Sequence, residues 1–245
     1  MTTIPIRGFL PNTLIDWPGR LAAEIFLGGC NLRCPYCHAS DLLHDSPDAE
    51  TFDLADVLGH LKAEAGWVDG VVVSGGEPTI HADLPSLLRL LKDAGPSVKL
   101  DTNGTNPEML EALLRDGLID AVAMDVKAPL DQRYQRASGR PDLDVGDVRR
   151  SLSLLRDWGG AYELRTTVCP AVLSPEDVTD LAADLAGAPS LVLQQFKGGQ
   201  CLDPAFNSVD PYPEDVLLEL AERCRASLPR TWVRGTEQTP TPPGE

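Results

Sequence analysis

Short runs rich in valine, leucine and alanine alternate along this chain with longer segments whose apolar positions recur every three or four residues. The runs Leu21 to Gly28, Gly70 to Ser74, Val98 to Thr102, Ala121 to Lys127, Glu163 to Val168 and Leu191 to Phe196 read as strands. Several are almost continuously apolar, such as Val71-Val72-Val73 and Ala121-Val122-Ala123-Met124, the pattern of strands buried on both faces of a parallel sheet. Between them, Leu54, Val57, Leu58 and Leu61 keep i, i+3, i+4, i+7 spacing and lay one apolar stripe toward a sheet. The punctuation agrees. Asn106-Pro107-Glu108 supplies an N-cap, a first-turn proline and an acid at the positive helix end, and Gly117 supplies a stop. Ser174-Pro175-Glu176-Asp177 repeats that opening before Val178, Leu181 and Leu185, and a last helix is expected from Pro213 to about Ser227 with Val216, Leu217, Leu220 and Cys224 inward.

About six strand–helix alternations define an α/β fold. The 245 residues fall short of the roughly 250 typical of eight units once residues 1–20 are set aside as an N-terminal extension. The expected architecture is therefore a partial (β/α)6 TIM-like barrel with parallel strands, spanning 21–230 as one domain. Residues 235–245, rich in Thr, Pro and Gly, are expected to be a disordered tail.

Composition narrows the partners. Apolar residues make up 42% of the chain, and no run approaches the ~20 apolar residues of a membrane span. Twenty-one basic against 37 acidic residues give a net charge of -16, opposite to what a groove tracking phosphates needs. Neither nucleic acid nor a membrane is expected as a partner. Met1-Thr2-Thr3-Ile4-Pro5 lacks the basic patch and apolar stretch of a signal peptide, so the expected location is cytoplasmic.

That location gives the cysteines their meaning. Cys30, Cys34 and Cys37 stand at C-x3-C-x2-C directly after the first expected strand, in Gly29-Cys30-Asn31-Leu32-Arg33-Cys34-Pro35-Tyr36-Cys37. In a reducing compartment such a cluster reads as metal ligation and not as disulfides. Structural zinc takes four ligands in a closed site, so three thiols leave it incomplete unless His38 or His44 serves as the fourth. A [4Fe-4S] cluster held by three thiolates keeps one iron open to an outside ligand.

Other candidates end strands at one edge, where ligand chemistry is expected in βα barrels. Ser74-Gly75-Gly76-Glu77-Pro78 follows an apolar run; its glycines let the backbone approach a ligand closely, and its carboxylate suits an ammonium group. Asp101-Thr102-Asn103-Gly104 and Asp125-Val126-Lys127 close the next two strands. Arg165 is placed to reach a carboxylate. Cys169 and Cys224 read as packed thiols, Cys201 sits in a Gly-rich loop open to a second metal, and His60 and His81 suit surface or capping roles.

These motifs carry a specific resemblance. A C-x3-C-x2-C loop with an aromatic before its last cysteine resembles the signature of the radical S-adenosylmethionine (SAM) superfamily, and Gly75-Gly76-Glu77-Pro78 resembles that family's GGEP element. The resemblance implies that Cys30, Cys34 and Cys37 are ligands of a [4Fe-4S] cluster. The open iron of that cluster would chelate the amino and carboxylate groups of SAM, and reduction would yield a 5'-deoxyadenosyl radical that abstracts hydrogen. It further implies that Tyr36 lies near the adenine, that Ser74, Gly75, Gly76 and Glu77 seat the methionine amino group, and that Asn103, Asp125 and Lys127 lie beside the cofactor. Met124-Asp125-Val126-Lys127 and the lead-in Thr13-Leu14-Ile15-Asp16-Trp17-Pro18-Gly19 resemble elements of activating enzymes for glycyl radical enzymes. The resemblance runs from about Gly8 to Phe196 and points to the activating-protein family of anaerobic ribonucleoside-triphosphate reductase. It implies a backbone glycine of that reductase as substrate. No second, ferredoxin-like cysteine cluster is visible, so electrons are expected from flavodoxin or ferredoxin. Radical chemistry on a small molecule or a peptide, and a metal-binding interaction module, are the alternatives.

Overall fold

The computed structural model describes residues 4–43 and 50–236. The backbone divides into two compact units: residues up to Asn31 with Ala39–Ala123 and Ser151–Ala161 form the first, and Leu32–His38, Met124–Arg150 and the chain from Tyr162 onward form the second.

In the first unit the chain enters as β1 (Ile6–Thr13), which pairs antiparallel with β2 (Ala22–Leu27). Helix α1 (Leu54–Ala63) leads to β3 (Gly70–Gly75), and α2 (Leu84–Asp93) leads to β4 (Ser97–Thr102). Strands β2, β3 and β4 pair in parallel, Ala22 opposite Gly70 and Gly70 opposite Ser97. Helix α3 (Pro107–Arg115) follows, capped as the sequence predicts: the Asn106 side chain accepts from the Met109 amide, and Gly117 takes a left-handed φ of 63° just beyond the helix end. Val71, Val72 and Val73 are completely buried, each burial contributing roughly 1.5–3 kcal/mol.

Strand β5 (Ala121–Asp125) carries the chain into the second unit and α4 (Gln132–Ser138), and α5 (Val145–Trp158) is divided between the units before the chain returns to the second. There β6 (Ala161–Val168), α6 (Pro175–Asp184), β7 (Leu191–Gln195), α7 (Glu214–Cys224) and β8 (Thr231–Arg234) continue the alternation. Ser174 and Asp177 close a capping box on α6. Strands β6, β7 and β8 are parallel, with Leu164 opposite Leu191 and Leu191 opposite Thr231.

The eight strands follow one another in chain order in one sheet. The fold is the mostly parallel α/β architecture expected, and all six expected strands form. Two strands escaped the pattern. β1 lies within the stretch set aside as an extension; Gly8 and Pro11 and two register irregularities break its alternation. β8 has only four residues, too short for a periodicity to register. The expected tail lies outside the described residues from 237 onward. Among the described residues no helix is long and apolar enough to cross a membrane.

The apolar strands of the first unit also bury charge. Glu24, Lys99 and Asp101 are all less than a tenth exposed. The Lys99 ammonium donates to Asp101 Oδ1 at 2.6 Å and to the Asp16 carbonyl at 2.9 Å, while Thr13 Oγ1 donates to Asp16 Oδ2 at 2.6 Å. Burial, and then the neighbouring charges of Asp16 and Asp101, push the Glu24 carboxyl up to about 8. An unfolded glutamate titrates near ~4.3. Between those values the folded chain keeps a proton that the unfolded chain has released, so stability falls as pH rises, by up to ~1.4 kcal/mol per pH unit. Glu24→Gln keeps a donor toward Asp16 without the titration. Urea midpoints taken from about pH 5 to about pH 8 are expected to decline less steeply in this variant than in the natural chain; equal slopes would remove Glu24 as the cause.

Candidate active site

In the first unit the site is built where β2 and β3 end. The exit of β3 presses directly on the segment that becomes the cysteine loop: the Gly76 amide donates to the Leu27 carbonyl at 2.9 Å and the Glu77 amide to the Gly29 carbonyl at 2.8 Å. A Cβ on Gly76 would lie 1.9 Å from the Gly29 oxygen, and one on Gly75, whose φ is 117°, would lie 2.3 Å from Leu27 backbone atoms. Both positions therefore require glycine. The sequence reading has these glycines admit a ligand; the structure shows them admitting the backbone of Leu27 and Gly29. Ser74 precedes the last residue of β3, in register with Phe26 of β2. His81 adds a brace, its Nε2 lying 2.8 Å from the Gly28 carbonyl oxygen. His60 packs edge-on against Phe9.

Glu77 is buried, and its carboxylate is ringed by protein donors. Oε1 accepts from the Thr79 amide at 3.0 Å, Thr79 Oγ1 at 2.5 Å and Thr102 Oγ1 at 2.7 Å, and Oε2 accepts from the Asn103 amide at 2.6 Å. Burial pushes this carboxyl up, and the four hydrogen bonds oppose the push. Its role in this geometry is to join the exit of β3 to the exit of β4. The Asn103 side chain is engaged as well: Nδ2 donates to Asn31 Oδ1 at 3.0 Å, and Oδ1 accepts from the Thr105 amide and hydroxyl at 3.0 and 2.6 Å. Asn31 Nδ2 donates to Thr105 Oγ1 at 2.7 Å. Asn103 and Thr105 thus fix Asn31, the residue next to Cys30, while Thr79 and Thr102 hold Glu77; Asn31, Thr79, Thr102 and Thr105 were not singled out in the sequence, because isolated Asn and Thr residues carry no spacing signal.

The second unit holds Cys34, Tyr36 and Cys37 on one short segment. The Arg33 amide donates to the Ser138 carbonyl at 2.9 Å, and a Cβ on Gly139 would lie 2.0 Å from the Arg33 oxygen, so the end of α4 is fitted against the loop. Its other end is bonded to residues 202–203, the Leu202 amide donating to Cys37 O at 3.0 Å and the Asp203 amide to Pro35 O at 2.9 Å. Asp125 ends β5 between two cations, accepting from Lys127 Nζ at 2.9 Å and Arg165 Nε at 3.0 Å. Burial pushes the Asp125 carboxyl up, but Lys127 and Arg165 outweigh it and hold the group well below the usual carboxylate range. Burial works against the Lys127 charge too. Asp125 first, then Cys34 and Tyr36, more than restore it and raise the ammonium well above its ordinary value. Arg165 thus reaches a carboxylate, as expected, and that carboxylate is the chain's own.

Tyr36 is buried with no hydrogen-bond partner for its hydroxyl, and burial followed by the Cys34 charge raises its pKa. Cys169 and Cys224 are buried, as expected of packed thiols. His38 stacks on Phe196 at 5.6 Å and its ring nitrogen meets the Lys197 carbonyl; His44 lies outside the described residues. No cysteine forms a disulfide. Among the described residues no three His, Cys, Asp or Glu side chains are already gathered as a metal site. The fit to an iron–sulfur cluster therefore rests on donor chemistry: soft thiol ligands on one short loop, with the Lys127 cation within electrostatic reach of Cys34.

Residues 25–185 match the family model described as the radical SAM superfamily. A Methanocaldococcus jannaschii protein provisionally named a glycyl-radical enzyme activating enzyme is 32% identical over 236 residues, covering 94% of this chain and 95% of that one. The pyruvate formate-lyase-activating enzyme of Clostridium pasteurianum is 29% identical over 175 residues, covering 69% and 71%. Among solved structures, TYW1 with a lysine-pyruvate adduct superposes with a TM-score of 0.63 at 15% identity, over 89% of this chain and 77% of that one, a likeness of fold.

The Glu77 arrangement makes a direct prediction. Glu77→Gln replaces one acceptor by an amino group facing a donor, and is expected to lower the unfolding free energy by about 1–3 kcal/mol. Urea denaturation tests this, and an unchanged midpoint would show that the four bonds do not hold the two strand exits together.

Proposed function

The chain belongs to the radical SAM superfamily, and on that premise we propose that it is an activating enzyme that installs a glycyl radical in a partner protein. The observation that carries this reading is similarity running almost end to end, over 94% of the chain, with a protein named as such an activating enzyme. The proposed partner is anaerobic ribonucleotide reductase, on the strength of the resemblance, from about Gly8 to Phe196, to the activating-protein family of that reductase. Flavodoxin or ferredoxin is the proposed electron donor and the cytoplasm the proposed location.

In this reading Cys30, Cys34 and Cys37 hold a [4Fe-4S] cluster, which supplies, when bound, the single electron that cleaves the sulfonium of SAM. The chain's own residues position and screen. Gly75 and Gly76 allow the β3 exit to support the entrance of the cysteine loop, and Glu77 fixes that exit to β4. Ser74 stands at the same strand end. Asp125 holds Lys127 and Arg165 as cations, suited to thiolates and to the carboxylate of an amino acid. Asp125, Lys127 and Asn103 are the proposed polar contacts of SAM, Asn103 being held by its bond to Asn31. Tyr36 contributes a buried ring for the adenine, its hydroxyl available as a donor.

The test is anaerobic. Reconstituted protein given reductant, SAM and the candidate reductase is expected to produce a glycine-centred electron paramagnetic resonance signal on the reductase. Cys30→Ala, Cys34→Ala and Cys37→Ala are each expected to abolish both this signal and the broad iron–sulfur absorption. SAM cleavage without a glycine signal would transfer the reading to radical chemistry on a small molecule or a peptide. Full absorption in any of the three variants would remove that cysteine from the ligand set.

A further inference from the structure

One cysteine outside the C-x3-C-x2-C loop is held against it. Residues 201–203 run beside 35–37 in the second unit, bonded by the Leu202 amide to Cys37 O and by the Asp203 amide to Pro35 O. Cys201 immediately precedes the first of these amides, so its backbone lies alongside that of Cys37. Its position is fixed from the other side too: the Cys201 amide donates to Asn207 Oδ1 at 2.7 Å, and the Asp203 side chain caps the turn Pro204–Ser208. A disulfide bridges cysteines whose Cα atoms lie roughly 4.4–6.8 Å apart, and the directly hydrogen-bonded segments set the Cys37 and Cys201 backbones side by side.

Cys34, the nearer cysteine in sequence, is buried. Exposure also separates the pair into roles. Cys37 is partly exposed while Cys201 is buried, so a small oxidant meets Cys37 first and Cys201 stands behind it.

We propose that Cys201 is the resolving thiol for Cys37, and that in protein without a cluster the two close a reversible disulfide that withdraws Cys37 from cluster assembly. The oxidant is a low-molecular-weight disulfide such as oxidised glutathione. The Cys37 thiolate attacks one of its sulfurs, breaking the S–S bond, releasing one small thiol and leaving a mixed disulfide. The Cys201 thiolate then attacks the Cys37 sulfur, forming the Cys37–Cys201 bond and releasing the second small thiol. Two protein thiols are oxidised, one small disulfide is reduced, and both protons leave with the two small thiols. The bond follows from the packing alone; its consequence for cluster loading rests on the proposed role of Cys37 as a ligand.

Cluster-free full-length protein is to be incubated with oxidised glutathione under native conditions, alkylated with N-ethylmaleimide, digested and mapped by mass spectrometry. The expected result is a Cys37–Cys201 linked peptide with two of the six thiols protected from alkylation. Cys34→Ser is expected to retain that link, and Cys201→Ser to leave glutathione on Cys37. A predominant Cys34–Cys37 link, or glutathione remaining on Cys37 in the natural chain, overturns the proposal. Iron and sulfide are then offered to the oxidised natural chain, where at least tenfold less iron–sulfur absorption is expected than after thiol reduction. Equal loading with the linked peptide present would overturn the effect on assembly and the ligand role of Cys37 together. A missing link with normal loading would overturn only the pairing.

Discussion

The close passage of the β3 exit across the entrance of the cysteine loop is the constraint on which the arrangement of strand exits in the first unit depends. A 1.9 Å separation between a hypothetical Gly76 Cβ and the Gly29 oxygen leaves no room for any side chain. Placing backbone against backbone so tightly buries polar groups, and each needs a partner. The amides of Gly76 and Glu77 find theirs in the Leu27 and Gly29 carbonyls, and the Glu77 carboxylate gathers the amides and hydroxyls that follow β3 and β4. Removing one hydrogen-bonded partner from such a group costs more than the bond contributed, because the others stay buried and unsatisfied. The Gly-Gly-Glu sequence is thus one mechanical unit: two residues permit the approach and the third secures it.

The cysteine loop is fixed by the same device in the second unit, with different parts. Gly139 at the end of α4 leaves space for the Arg33 carbonyl, as Gly76 does for that of Gly29, and the Ser138 carbonyl receives the Arg33 amide. The loop formed by residues 201–203 then bonds to 35 and 37. A short cysteine-bearing segment cannot form a helix or strand of its own, so its conformation is imposed by neighbouring backbone.

How much of this the sequence disclosed follows from the range of each interaction. Strands β2 to β7 were legible because burial on both faces makes their apolar runs nearly continuous, and α3 and α6 because their caps lie within three residues of each other. The cysteine triplet and Gly-Gly-Glu-Pro were legible because their spacing is local. Asn31, Thr102, Thr105, Ser138 and Gly139 were not, since each acts through a partner distant in sequence. Glu77 shows the intermediate case. Its importance could be read, but its partners could not, and the carboxylate assigned to a ligand's ammonium group is surrounded by four donors of the protein itself. Glu24 and Lys99 show the opposite failure: charged residues inside apolar runs look like interruptions, whereas in the fold they share buried surroundings with Asp101.

The charge arrangement of the second unit shows how a chain of net charge -16 keeps cations charged away from solvent. Long-range repulsion from scattered surface acids is screened within about 8 Å at physiological ionic strength, whereas groups withdrawn from solvent act at short range with little screening. Lys127 and Arg165 have side chains only 16% and 14% exposed, and both turn to Asp125. Both cations are held in place by that carboxylate. If Lys127 stood alone, burial would drive it toward the neutral amine; paired with Asp125 it stays charged, as the direction of its shift requires. The acid therefore preserves the cation. An aspartate two residues before a lysine at a strand end is, on this argument, a single electrostatic element in which the carboxylate keeps a buried ammonium charged.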